Sequence, residues 1–170
     1  MKSRFAYIVL AIILVILVIP YIRHAGGLGW LTSTLLIAMI PLASYYALST
    51  DHSRADILLL LSLPFILCDA VLFFHKASYV QLMTFGFGIL LYLYIIVLLL
   101  RRLLAQKTIT TDMIYCAISI YLLIGIMWAG IYGFLETLMP GSFSASNGHV
   151  DFFYFSFHLI QVTIQIVITR

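Results

Sequence analysis

Long apolar runs separated by short polar breaks dominate the chain. Apolar residues fill Phe5 to Ile22, Trp30 to Leu48, Ile57 to Phe74, Tyr79 to Leu100 and Met113 to about Leu135. A helix needs about 20 apolar residues to cross a bilayer, so this pattern predicts five transmembrane helices. Gly26-Gly27-Leu28-Gly29 reads as a turn ahead of the second run, and the polar stretch Gln106 to Asp112 precedes the fifth. Lys2 and Arg4 in front of the first run resemble the start of a signal peptide. A signal core, however, has only about 7 to 15 apolar residues and ends at a small-residue cleavage site. This run ends at Pro20-Tyr21-Ile22-Arg23 and is expected to be a retained helix.

Composition removes the alternatives. At 64% hydrophobic and 9% charged, with a mean hydropathy of +1.16, the chain falls far below the roughly 25% charged residues of a soluble domain. Cytosolic enzymes, nucleic-acid binders and disordered tails are excluded together. The net charge of +3 is too small and scattered for a nucleic-acid partner. Cys68 and Cys116 lie in different apolar runs and form no CxxC, which leaves no disulfide framework or zinc motif. Counted at 1.5 Å per residue they fall at different depths, so they are not expected to bridge.

Positive charge gives the runs a direction, because Lys and Arg favour cytoplasmic loops. With the N-terminus inside, Lys2, Arg4, Arg54, Arg101, Arg102 and Lys107 are cytoplasmic, against Arg23 and Lys76 outside. The expected location is the inner cell membrane, with Glu136 to Asp151 on the external face. No repeat of solenoid length and no inverted transporter repeat is visible.

Polar groups inside the runs are few. Asp69 sits about two thirds along the third run, beside Cys68 and after Pro64. A carboxylate there must face a partner helix, water or a cavity. It is either a charge that pairs or titrates within the bundle, or a hydrogen-bonded packing residue near the outer interface. Glu136, at the outward end of the fifth run, is either an external charge beside a permeation path or an ordinary helix-end residue. His24, His52, His75, His149 and His158 do not cluster and form no HExxH, so no metal site is expected. Ser142 lies in no G-x-S-x-G and no phosphate-binding glycine loop is present; no enzymatic activity is expected. Gly125, Gly130 and Gly133 would let helices approach closely. Trp30, Tyr45, Tyr46 and Tyr79 suit an interfacial aromatic belt. Arginines do not recur at every third position, so a voltage sensor is unsupported.

The region after Thr108 is the most informative. A polar opening leads into an apolar helix, then an external turn, then the aromatic segment Asp151 to Leu159. About nine residues cannot span a bilayer, but such a segment can enter as a re-entrant helix where protein or a watery cavity surrounds it. Asp151 would cap it, accepting a backbone hydrogen bond at the positive end of the helix dipole.

Four pieces in this order, Tyr121-Leu122-Leu123-Ile124-Gly125 with Trp128-Ala129, Pro140-Gly141-Ser142-Phe143, Asp151, and Tyr154-Phe155-Ser156-Phe157, cover about 50 residues. Here the chain resembles small bacterial membrane proteins with a potassium-channel pore domain preceded by four further helices. The resemblance implies an all-α membrane protein of five transmembrane helices plus a short re-entrant pore-type helix. Residues 1–105 would form the four-helix region and 106–170 an incomplete pore domain. Tyr115 to Leu138 would be the outer helix, and Asp151, Tyr154, Phe155, Ser156 and Phe157 the pore-helix region. A homotetramer would be its assembly and the lipid bilayer its surroundings.

In that family a filter segment containing Gly-Tyr-Gly follows, whose backbone carbonyls replace the hydration shell of the ion. Here Phe157 is followed by HLIQVTIQIVITR, with no glycine after Gly148. His158 to Arg170 is therefore expected to be the out-of-register product of an interrupted channel gene, lacking filter and inner helix. No cofactor is implied, and potassium would be a permeant ion only where a filter is present. Two functions are expected to compete. One is a potassium-channel relative that does not conduct alone; the other is a non-conducting membrane protein that senses, or partners an intact channel subunit, with Asp69 as its best feature.

Overall fold

The computed structural model describes residues 5–22, 26–48, 52–74, 77–106, 110–142, 156 and 158. They form five helices: α1 (Ala6–Ile22), α2 (Gly26–Leu48), α3 (His52–Phe74), α4 (Ser78–Ala105) and α5 (Thr111–Leu138). Each coincides with one of the five apolar runs; α1 begins one residue inside its run, and the other four extend beyond theirs. α4 and α5 have 28 residues each, about 42 Å of helix against about 30 Å of hydrocarbon in a bilayer. An apolar run marks the stretch that avoids water. The helix itself continues until its backbone finds a cap, as where the Gln106 N–H donates to the Leu103 carbonyl at 3.4 Å.

The Gly26-Gly27-Leu28-Gly29 segment is not a turn, because α2 begins at Gly26. Glycine costs about 1 kcal/mol in a helix interior, but the N–H groups of a first turn lack intrahelical partners whatever the residue. The apolar run behind it carries the helix. Pro41 and Pro64 lie inside α2 and α3, which continue through them.

α4 and α5 are long and apolar enough to cross a membrane, while Ala6–Val18 and Thr34–Leu48 are shorter apolar stretches. Only 44% of the most apolar stretch of α4, and 33% of that of α5, is buried. A soluble protein encloses a helix that is apolar on all sides; this bundle leaves more than half of each outside.

Consecutive helices are separated by three to five residues, which makes neighbours antiparallel. Each packs on the next, and α5 closes on α1 to complete a ring. Five is odd, so α1 and α5 meet as parallel helices. Ile8, Ile12, Ile40, Leu58, Leu91, Ile95, Leu99 and Leu123 are fully buried, so every helix contributes to one core. The exposed face has the same chemistry. Leu10 and Leu17, Leu35 and Leu42, Leu60 and Leu67, the series Met83, Leu90, Val97 and Leu104, and the series Ile114, Tyr121, Trp128 and Leu135 are all exposed. Seven residues are close to two helical turns, so each helix shows an outward apolar stripe along its length.

Hydroxyls point the other way. Ser44, Ser62, Thr84 and Ser119 are buried and donate to the carbonyls of Ile40, Leu59, Val80 and Tyr115 at 2.8–2.9 Å. These bonds stay within one helix and tie no helices together. Packing does that, at two glycine notches. A Cβ on Gly88 of α4 would lie 2.9 Å from the Phe65 ring of α3, and one on Gly133 of α5 would lie 2.7 Å from the Phe85 ring of α4. Gly130 meets Ile89 at an ordinary 3.6 Å. Of Gly125, Gly130 and Gly133, the close approach expected of the set is present at Gly133, and Gly88 adds a notch that the sequence reading missed.

Gly133→Ala and Gly88→Ala are expected to lower stability to unfolding in mixed micelles by about 1–3 kcal/mol through overpacking. Gly86→Ala, with nothing within 4 Å of the added Cβ, is the matched control and should show no such loss.

Candidate functional site

Asp69 is the acidic residue interior to an apolar run, and three helices frame it. It lies five residues before the end of α3, about 8 Å from that end. Thr34 lies eight residues after the start of α2, about 12 Å in from the same end of the bundle. The Thr34 hydroxyl donates to Asp69 Oδ2 at 2.6 Å. This is a charge-assisted geometry and it bridges α2 and α3 directly. One turn earlier on α3, Phe65 meets Tyr92 of α4 edge-on, with ring centroids 6.3 Å apart. Gly88, one turn before Tyr92, makes room for Phe65. Phe65 and Asp69 share a face of α3, as Gly88 and Tyr92 share a face of α4, by four-residue spacing.

A second polar cluster joins helix ends at the opposite end of the bundle. Arg102, near the end of α4, donates from one guanidinium nitrogen to the Ala47 carbonyl of α2 at 3.2 Å. The same guanidinium stands 5.1 Å from the centre of the Phe5 ring, next to the start of α1. The Cys116 thiol of α5 is directed at the Leu99 carbonyl of α4 at 3.6 Å. Phe5, Arg102, Gln106, Asp112 and Cys116 border a shallow crevice there. Cys68 and Cys116 are both free thiols.

Glu136 holds the far end of α5. Met139 to Ser142 form a turn in which the Ser142 N–H donates to the Met139 carbonyl at 3.1 Å. Pro140 takes the second position and Gly141, at φ +86°, the third, as a type II turn requires. The Gly141 N–H donates to Glu136 Oε1 at 2.8 Å. Glu136 thus accepts a bond that fixes the direction in which the chain leaves α5.

No protein-family model, curated protein or solved structure matches the chain. The site therefore has to be read from its own geometry. Of the segment expected to form a pore helix and the residues after it, Ser156 has helical backbone and is buried, and His158 is helical and exposed. Asp151, Tyr154, Phe155 and Phe157 lie outside the described residues. Among the described residues, no three His, Cys, Asp or Glu side chains group as a metal site.

The sequence reading picked out Asp69 but not Thr34, Tyr92 or the bridging role of Arg102. Depth could have found Thr34: an intramembrane carboxylate needs a donor at its own level, and Thr32 and Thr34 break the second apolar run at that level. The arrangement provides one carboxylate and one hydroxyl donor clasping two helices. A double-mutant cycle with Thr34→Val and Asp69→Asn should give a coupling energy of about 0.6–1.7 kcal/mol. A coupling near zero would mean the bond does not hold α2 to α3.

Proposed function

We propose that the chain is a multi-pass protein of the cell membrane, crossing five times with its N-terminus in the cytoplasm. It is a relative of potassium-selective channels that does not conduct by itself. The outward apolar stripe on all five helices is the observation that carries the membrane reading. Contiguous apolar surface of this extent has no place on a water-soluble monomer, while the inward hydroxyls bonded to their own helices suit a medium without water. Lys and Arg concentrate at the end where α1 and α5 start and α2 and α4 finish, which supports the inward N-terminus.

The channel relationship rests on the resemblance from Tyr121 to Phe157. In its favour, α5 is long enough to be an outer helix. Its exit is fixed by Glu136 and the Pro140-Gly141 turn, and Ser156 is helical and buried, as a pore helix seated against the bundle would be. The 170 residues contain no Gly-Tyr-Gly, so they supply no carbonyl rings to replace the hydration shell of potassium. The alternative, a partner subunit joined through Asp69, loses force because Thr34 of the same chain already meets that carboxylate.

Two measurements test this. In a background with Cys68→Ser and Cys116→Ser, a membrane-impermeant thiol reagent applied outside intact cells is expected to label Ser142→Cys and to spare Gln106→Cys. Reversed labelling would contradict the orientation, and labelling of both would contradict the fifth span. The purified chain alone in a planar bilayer is expected to carry no potassium-selective current; a selective current would overturn the non-conducting reading.

A further inference from the structure

One end of the ring gathers three helix ends around an arginine pair. Arg101 and Arg102 close α4, and the contacts of Arg102 with the Ala47 carbonyl and the Phe5 ring bring the end of α2 and the start of α1 to the same place. Arg101 is exposed beside this junction. On the adjoining surface Tyr7 of α1 and Tyr46 of α2 meet edge-on with ring centroids 5.9 Å apart, and both are exposed, at 43% and 54%. An exposed tyrosine pair at a helix end belongs at headgroup level. Under the orientation proposed above, the cytoplasmic segments carry six basic residues, Lys2, Arg4, Arg54, Arg101, Arg102 and Lys107, against three acidic ones, Asp51, Asp56 and Asp112. The external segments carry Arg23 and Lys76 against Glu136 and Asp151. Of the segments that flank the five helices, those at the end with the tyrosine pair thus carry the positive excess under this orientation.

We infer that this end is a docking surface for anionic lipid headgroups of the cytoplasmic leaflet, with Arg101 as its exposed cation and Tyr7 and Tyr46 as its headgroup-level aromatic pair. The inference rests on the membrane reading. Charge complementarity selects the partner: a basic residue at a membrane surface gains about fivefold in affinity for an anionic over a neutral lipid, and the attraction fades within a Debye length as salt rises. A zwitterionic headgroup offers no net charge to meet the excess.

The test uses the full chain, reconstituted in vesicles of equal parts phosphatidylglycerol and phosphatidylcholine, extracted, and weighed with its retained lipids by native mass spectrometry. Phosphatidylglycerol is expected to be enriched over phosphatidylcholine. Arg101→Gln should reduce the enrichment about fivefold, Arg101→Lys should keep it, and Lys76→Gln, at the opposite end, should leave it unchanged. Glycerol phosphate in excess should not displace the lipid; displacement would overturn the inference by making the site one for free phosphate. A chain that floats with the vesicles yet shows no enrichment, or one whose enrichment survives Arg101→Gln, overturns the inference and leaves the membrane reading intact. A chain that fails to float overturns the membrane reading instead.

Discussion

The buried hydroxyls of Ser44, Ser62, Thr84 and Ser119 close their hydrogen bonds on the helices that carry them, and that constraint shapes the packing of the bundle. Among the described residues no buried side-chain nitrogen or oxygen lacks a partner, and the hydroxyls of Ser44, Ser62, Thr84, Ser119 and Thr137 turn back to their own helix. Helices sealed in this way have little polar reason to associate. Their inner and outer faces are also alike, since Leu91 in the core and Leu90 outside are the same residue. With lipid around it, as proposed for this chain, the hydrophobic effect would not choose which face goes inward. Steric fit chooses it, with Phe65 lying against Gly88 and Phe85 against Gly133.

The few bonds that do cross between helices sit near the two ends of the ring. Thr34 and Asp69 join α2 to α3 toward one end, and Arg102 joins α4 to α2 and α1 at the other. Placing polar ties toward the ends keeps charge close to water and leaves the middle to packing. It also gives the ends distinct chemistry. One end carries the Asp69 clasp and the turn that Glu136 holds at the exit from α5; the other carries Arg101, Arg102 and the tyrosine pair.

The number and order of helices were legible in the sequence because runs of about 20 apolar residues have few other uses. Helix ends were less legible. Apolarity reports where water is absent, so Arg101 to Ala105 belong to α4 despite the arginines, and Gly26 to Gly29 belong to α2 despite their turn-like composition. Gly133 was readable as a small residue in a helix that must pack, whereas Gly88 was not singled out because the ring above it comes from α3, a contact that no local pattern encodes. Asp69 stood out as a lone carboxylate, but its partner depended on the depth and rotation of α2. Glu136 drew attention by its charge, while its bond to Gly141 depended on the turn at Pro140.

The central claim is that the outward leucines face lipid chains. Its most direct test is collision accessibility of single spin labels at Leu10, Leu42, Leu60 and Leu90, one on each of the first four helices, in reconstituted vesicles. The account predicts fast relaxation by oxygen, which concentrates in hydrocarbon, and slow relaxation by a water-soluble nickel chelate at all four positions. Access of the chelate to these sites, with oxygen access low, would contradict it.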